Sequence, residues 1–314
     1  MTTSGIYTIT RKGTDIIESA LRKCGVVTEA SPITAPMQTT ALAALEDMIR
    51  AMHKDGIKLW LYRQAVLFPV LAQKRYLLGP NGDHFCFATD LIKTTLAVAA
   101  SDTDTSFTVS DDEGLADNDY IGIELDSGVI FWTTINGAPA ANVVTVDDAL
   151  TGDAAIGNKV FSYTSKAPRP LEITHGSVQV QDDSETFLKK DAREDYLDYA
   201  NKAAVGTPIA FHYNPLRTDG ELYLYPTTNN ETQYINFSIQ IPVEIVQAAA
   251  KDLDFPEEWY LPLSWCLAQQ LYIEYGITDQ ITVTKIEKEA DKWYDSIKNW
   301  DQEDASIFFE PDDE

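Results

Sequence analysis

The sequence predicts an α+β protein: a helical core with mixed strands, into which an all-β barrel or sandwich module is inserted. Three observations predict it. Apolar residues recur at i, i+3, i+4 and i+7 near both ends of the 314-residue chain. Residues 94–164 lose that period and turn to Thr, Val, Ala, Asp and Gly with almost no Lys or Arg. The stretches around this segment alternate apolar with polar or aromatic residues, as strands do. Length alone implies two or three compact units. Their boundaries fall at 1–93 (N-terminal helices and strands of the core), 94–164 (the module), 165–300 (strands and C-terminal helices of the core) and 301–314 (an acidic tail).

From the N-terminus, Ile17, Ala20, Leu21 and Cys24 fall on one helical face, and Gly25 supplies the left-handed stop. After a connector from Pro32 to Pro36, Leu45, Met48, Ile49 and Met52 repeat the spacing, and Gly56 closes the second helix. Residues 59–78 read as β structure, with Phe68-Pro69-Val70 and Tyr76-Leu77-Leu78 ending at the turn Gly79-Pro80-Asn81-Gly82. In the module the candidate strands are Ser106 to Val109, Tyr120 to Leu125, Val129 to Ile135, Val143 to Val146 and Lys159 to Tyr163, with Asp126-Ser127-Gly128 turning between the second and third.

A helix is expected over 191–205, ending at Gly206-Thr207-Pro208. Strands follow at Ile209 to Tyr213, Glu221 to Tyr225 and Tyr234 to Ile241. Two helices complete the chain. Phe255-Pro256-Glu257-Glu258 opens the first, with carboxylates in the turn where the helix dipole favours them. Leu263, Leu267 and Leu271 line one flank and Trp265, Ala268 and Tyr272 another, so nearly the whole circumference is apolar and burial between neighbours is expected. The second helix, over 279–299, carries one stripe of Ile286, Ala290, Trp293 and Ile297, as a surface helix does.

The charge is the unusual quantity. With 24 Lys and Arg against 49 Asp and Glu, the chain carries -25. Such a molecule repels polyanions, which excludes a basic DNA clamp. Cys24, Cys86 and Cys266 are odd in number and widely spaced, so they fit neither a disulfide framework nor paired zinc ligands. Buried free thiols and folding in a reducing cytoplasm are the expectation. No membrane span and no secretory signal pattern is read from the chain.

Chemistry-bearing motifs are scarce. There is no GxxxxGK[ST] loop, no GxGxxG after a strand and no GxSxG elbow. His53, His84, His175 and His212 are scattered, without HExxH spacing. Asp102, Asp104, Ser106, Ser110 and Glu113 match positions of a calcium loop, but Phe107 stands where the loop needs Gly. Glu257/Glu258 and Asp111/Asp112 could supply the two carboxylates of a glycosidase, yet such pairs arise by chance in so acidic a chain. Trp259, Trp265, Tyr272 and Tyr275 sit at helical spacing, which favours core packing over a sugar platform. No catalytic, cofactor-binding or metal-ligating residue is therefore assigned.

Two segments resemble a known family. Ile9-Thr10-Arg11 through Gly25, then His53-Lys54-Asp55-Gly56-Ile57, resembles the N-terminal part of the head-to-tail adaptors of short-tailed phages, tail accessory factors that stabilise packaged DNA. Gly206-Thr207-Pro208, Tyr213-Asn214-Pro215, Leu222 to Pro226 and the run DFPEEWYLPLSWCLA from Asp254 to Ala268, on to Tyr275-Gly276, resembles their second half. The resemblance implies a non-enzymatic virion protein at the head-tail junction, made in the host cytoplasm. It implies a helical adaptor core and a dodecameric ring that binds the portal protein and meets tail knob or fibre proteins, with DNA passing through the channel without tight binding. The module at 94–164, which occurs in some longer members, would be an excursion on the outside of the ring. Two other readings stand beside it: a virion-associated cell-wall glycosidase or lyase, and a carbohydrate- or calcium-binding surface protein.

The tail from Asp301 to Glu314 is acidic, without a basic residue, yet it carries Ile307, Phe308 and Phe309 together. An acidic segment with one apolar cluster is the composition of a segment that orders on a partner. Ile307, Phe308 and Phe309 are therefore the expected partner-binding residues.

Overall fold

The computed structural model describes residues 11–54, 62–179, 184–242 and 255–300. The chain is α+β and divides into two units, one formed by residues 1–60 and 243–314, the other by residues 61–242.

The first unit opens with α1 (Gly13–Lys23). Ile16, Ile17, Ala20 and Leu21 are buried along it. Gly25 takes φ +73°, which a Cβ would disfavour. That conformation lets the Val26 and Gly25 amides donate back to the Leu21 and Arg22 carbonyls, a Schellman stop. The second helix, α2 (Ala35–Lys54), takes Pro36 into its first turn rather than leaving it in the connector. A proline there removes an amide that has no helical partner. Gly56 lies outside the described residues.

The second unit begins with β1 (Tyr62–Leu67), β2 (Arg75–Leu78) and β3 (Phe85–Phe87). Phe68-Pro69-Val70 is a loop and not the expected strand, pinned by the Tyr76 hydroxyl, which lies 3.1 Å from both the Val70 amide and the Val70 carbonyl oxygen. Next come β4 (Ile92–Thr95), β5 (Ser106–Thr108), β6 (Tyr120–Glu124), β7 (Ile130–Thr134), β8 (Val143–Thr145) and β9 (Lys159–Tyr163). The chain continues through β10 (Glu172–Gln179), β11 (Glu185–Phe187), β12 (Lys189–Lys190), α3 (Arg193–Asp198), β13 (Ala210–Pro215), β14 (Gly220–Tyr225) and β15 (Ile235–Gln240). The helix expected over 191–205 is thus only six residues long. Tyr199 turns extended, and the Lys202 ammonium takes the carbonyls of Leu197 and Tyr199 at 2.7 and 3.0 Å, capping the end.

Two sheets form a sandwich. One has the order β11-β10-β15-β1-β3 and the other β12-β13-β14-β2. Leu67, Phe85, Ile173 and Phe237 from the first meet Tyr76, Phe211, Leu222 and Leu224 from the second in one core. Strand β10 was not expected from the sequence. A bulge between Ile173 and His175 breaks its alternation, and Gly176 stands where a Cβ would come within 2.7 Å of the Phe237 ring.

Strands β4 to β9 build a sheet of order β4-β9-β6-β7 and a hairpin-like pair β5-β8 around Leu96, Phe107, Ile121, Ile123, Val144 and Val160. Single bridges, Leu96 to Val109 and Ile135 to Val146, link the sheet to the pair. The strands therefore do not close into a barrel by continuous ladders. Strands β5 and β8 have three residues each, and left-handed Ala141 and Asn142 bend the chain away before β8.

A second apolar cluster joins these strands to the sandwich. Ala65 and Leu67 of β1 face the sandwich core, whereas Val66 and the following Phe68 face Cys86, Ile130, Phe161 and Tyr163. Phe68 lies 4.9 Å from Trp132, 5.0 Å from Phe161 and 6.0 Å from Tyr234. The His84 ring stacks on Trp132 at 3.9 Å, and its Nδ1 is 2.6 Å from the Tyr163 hydroxyl. Gly122 leaves room for this, since a Cβ there would meet Trp132 at 2.9 Å. The buried Glu231 carboxylate accepts from the Leu71 amide at 2.7 Å and the Ile130 amide at 2.9 Å, tying three distant segments together.

The chain ends in the first unit. A 3₁₀ turn at Glu257–Trp259 leads into α4 (Tyr260–Glu274), followed by α5 (Gln280–Trp300). Glu257 and Glu258 thus precede the α-helix proper. Leu263, Leu267, Ala268 and Leu271 are fully buried, but Leu261 is 46% and Ile273 69% exposed, so α4 is not enclosed on all sides. Asp279 starts α5 by accepting from the Thr282 amide and hydroxyl at 3.0 and 2.6 Å. Ile286, Ala290 and Ile297 are buried and Trp293 half-buried along its stripe. Helix α4 packs against α1, α2 and α5.

Replacing Glu231 with Gln puts an amide group where two backbone amides need an acceptor. We expect a loss of about 1–3 kcal/mol in chemical denaturation, with faster hydrogen exchange at Leu71 and Ile130. An unchanged midpoint would show that the carboxylate does not join the layers. His84 gives a pH signature. Burial, reinforced by the Lys166 charge, lowers its pKa to about 3 from 6.5. The unfolded chain binds the proton first, so the stabilisation is complete above pH 6.5 and is lost as pH falls towards 3. Between pH 6.5 and 5 the slope contributed approaches about 1.4 kcal/mol per unit. Urea titrations of His84→Phe should show a flatter slope over that interval, and an identical slope would refute the assignment.

Candidate functional site

Ile307, Phe308 and Phe309 lie outside the described residues. Two of the matches to a calcium loop have other partners: the Asp104 carboxylate accepts from the Ser101 amide at 2.8 Å within a turn, and the Ser110 hydroxyl lies 2.9 Å from that of Thr95, fifteen residues away. Among the described residues no group of three His, Cys, Asp or Glu side chains is placed to hold a metal. Trp132 sits in the second apolar cluster rather than on an open face. The three cysteines are buried and free. Burial raises Cys24 to about 11 and Cys86 and Cys266 to about 12, so each stays a thiol rather than a nucleophilic thiolate. No helix among the described residues is long and apolar enough to cross a membrane.

Two surfaces gather groups suited to recognition. The first, in the β unit, is tyrosine-rich. Helix α3 lies over β13 and β14, whose alternation turns His212, Tyr223 and Tyr225 away from the sandwich core. Tyr199 stacks on Tyr225 at 3.7 Å, and Tyr196 lies 5.2 Å from Tyr223 and 6.1 Å from His212. The buried Asp191 accepts from the Tyr199 hydroxyl at 2.8 Å and pairs with Lys189 at 2.8 Å. His212 Nδ1 is 3.1 Å from the Asp191 carbonyl oxygen, so that nitrogen carries the hydrogen. The bond to Asp191 raises the Tyr199 pKa, and burial raises Tyr196 and Tyr223, which keeps these hydroxyls protonated. Arg75 pairs with Glu221 at 3.3 Å beside them. The surface offers ring faces, hydroxyls and both charges. The signal was present in the sequence as Tyr223 and Tyr225 at strand spacing and Tyr196 and Tyr199 at helical spacing.

The second surface lies in the helical unit, where α1 meets α4. Cys24 Sγ donates to the Ala268 carbonyl at 3.4 Å, and Lys23 Nζ donates to the hydroxyls of Ser264 at 2.6 Å and Ser19 at 2.8 Å. Its ammonium lies 5.0 Å from the centre of the half-buried Trp265 ring. Arg11 stands 6.0 Å from the Tyr260 ring centre, and its backbone amide donates to the Tyr260 hydroxyl at 3.4 Å. Burial, and secondarily the Arg11 charge, lowers the Lys23 pKa to about 8, so the amine is still largely charged at neutral pH. Among the described residues no carboxylate forms an ion pair with Lys23 or Arg11. This surface combines apolar contact with unneutralised positive charge in a strongly acidic chain. No protein-family model matches the chain, and no curated protein matches it.

Proposed function

We propose that this chain is a structural virion protein, a head-to-tail adaptor that forms a ring below the portal, extends the DNA channel, retains packaged DNA and docks tail components. One observation carries the reading: within the two segments that resemble such adaptors, residues 13–23 become α1 and residues 260–274 become α4, and the two helices pack on each other through Cys24 and Ala268, and through Lys23 and Ser264, while Gly206 to Pro226 falls among the strands of the other unit. The run from Asp254 to Ala268 supplies Leu263, Leu267 and Ala268 to the centre of the helical unit. In this reading residues 1–93 and 165–300, helices and strands together, are the adaptor core, and the strands of 94–164 are an excursion on the outside of the ring.

The charge supports it from a separate direction. Twelve copies at -25 carry about -300, so the field of such a ring repels DNA and lets it slide rather than adhere.

The test is to mix the purified chain with portal rings and examine the mixture by sedimentation and electron microscopy. Co-sedimentation and an added tier of density with rotational symmetry below the portal are expected. Separate sedimentation at saturating chain concentration would overturn the proposal. In the same preparation, duplex DNA should bind no tighter than about 1 µM at physiological salt. A tighter, salt-dependent complex would remove the repelling channel.

A further inference from the structure

The strands of 94–164 end in an apolar tip. Beyond the Thr95–Lys159 pair of β4 and β9, and short of the bridge between Ala100 and Ala154, segments 96–99 and 155–158 run opposite each other. Leu96 is buried, but Ala97, Val98, Ala99, Ala155, Ile156 and Gly157 are exposed. Val98 is 53% and Ile156 67% exposed. Aliphatic side chains exposed singly are ordinary, whereas these adjoin one another with no charged residue in either segment.

The tip is braced. The Asn158 amide donates to the Ala155 carbonyl at 3.2 Å, closing a turn with Gly157 at φ +88° and Ile156 at its corner. Asp126, from the β6-β7 connection, accepts from the Ala155 amide at 2.8 Å and from the Asn158 side chain at 2.9 Å. Asn158 also donates to the Glu124 carbonyl at 3.0 Å. An anchor held in this way has little freedom to lose on association.

The rim is acidic. The Asp102 amide donates to the Asp153 carboxylate at 2.9 Å and the Ser101 amide to the Asp104 carboxylate at 2.8 Å, which gathers three carboxylates next to the Ala100–Ala154 bridge. Asp126 adds a fourth at the turn. Among the described residues none of the four forms an ion pair, and Lys159 is the basic residue nearest to the tip in the chain. A second copy of this chain is the wrong occupant, because it brings the same rim and a further -25 against this one. An apolar centre inside an unneutralised acidic rim is complementary to apolar side chains set between lysines or arginines.

We propose that the tip around Val98 and Ile156 docks an apolar-centred, basic-flanked segment of another protein. The inference stands whether or not the chain is an adaptor, since its tests read the tip alone.

The probe is a fluorescent peptide, KKLFLKK, titrated into the full chain with EELFLEE and KKSGSKK as controls. KKLFLKK should bind with a Kd below about 1 mM, and each control at least about fivefold more weakly. Its amide shift changes should cluster at 97–102, 126–129 and 153–158. Val98→Ser together with Ile156→Ser, at positions outside the core, should weaken it at least about fivefold with the melting temperature unchanged. Asp102→Lys should weaken it at least about twofold. Equal binding of KKSGSKK, or binding untouched by the serine pair, would reveal diffuse attraction to an acidic surface and overturn the proposal. So would equal binding of EELFLEE, no binding at all, or shift changes centred on 196–225. Self-association of the free chain that the serine pair abolishes would make a second copy the occupant, which also overturns it.

Discussion

Strand β1 has both faces covered, and the layers of the β unit depend on that. Three consecutive residues, Ala65, Val66 and Leu67, are buried, which an ordinary half-exposed strand does not show. Alternation sends Ala65 and Leu67 into the sandwich core and Val66 into the aromatic cluster. A one-residue slip would exchange these sets and mispack both cores together. The register is fixed by β15 on one side and β3 on the other. Glu231 adds a polar tie at the same junction, where an unmatched amide would otherwise be buried.

Much of this was legible in the sequence where one rule acted alone. The strands from Ser106 to Tyr163 show because turn residues punctuate them and no helical period competes. Helix α1 and the stripe of α5 show because each buries one face against the rest of its unit. The misses have local causes. Strand β10 carries a bulge and a glycine demanded by the Phe237 ring, so its pattern reads as loop. The stretch after Asp198 has helix-forming residues, but Lys202 ends the helix by capping its carbonyls. The composition of residues 94–164 marks them out from their neighbours, while the aromatic residues that fasten them to β1 lie on both sides of that boundary and cannot be paired from sequence.

The candidate surfaces were less legible than the fold. Tyrosines at strand spacing look alike whether they pack a core or face outward, and only the pairing of β13 with β14 and the position of α3 separates the two. Lys23 was invisible as a feature because its neighbours, Ser264 and Trp265, arrive from the far end of the chain. In a chain of net charge -25, Lys23 is held by hydroxyls and an aromatic ring rather than by a carboxylate, which composition does not reveal.

The chain passes into and out of the 94–164 strands through paired neighbours, with Lys93 opposite Phe161 and Ile92 opposite Ser162. A neck of two adjacent strands would ordinarily act as a hinge. Here Phe161 and Tyr163, on one of those strands, also belong to the aromatic cluster with Phe68. A pull on the far loops is therefore shared between two covalent connections and a packed joint, and it is delivered to β1, which lies between β15 and β3 in its sheet. Mechanically the excursion is a lever rather than a tether, and torque applied at its tip is borne by the whole sandwich.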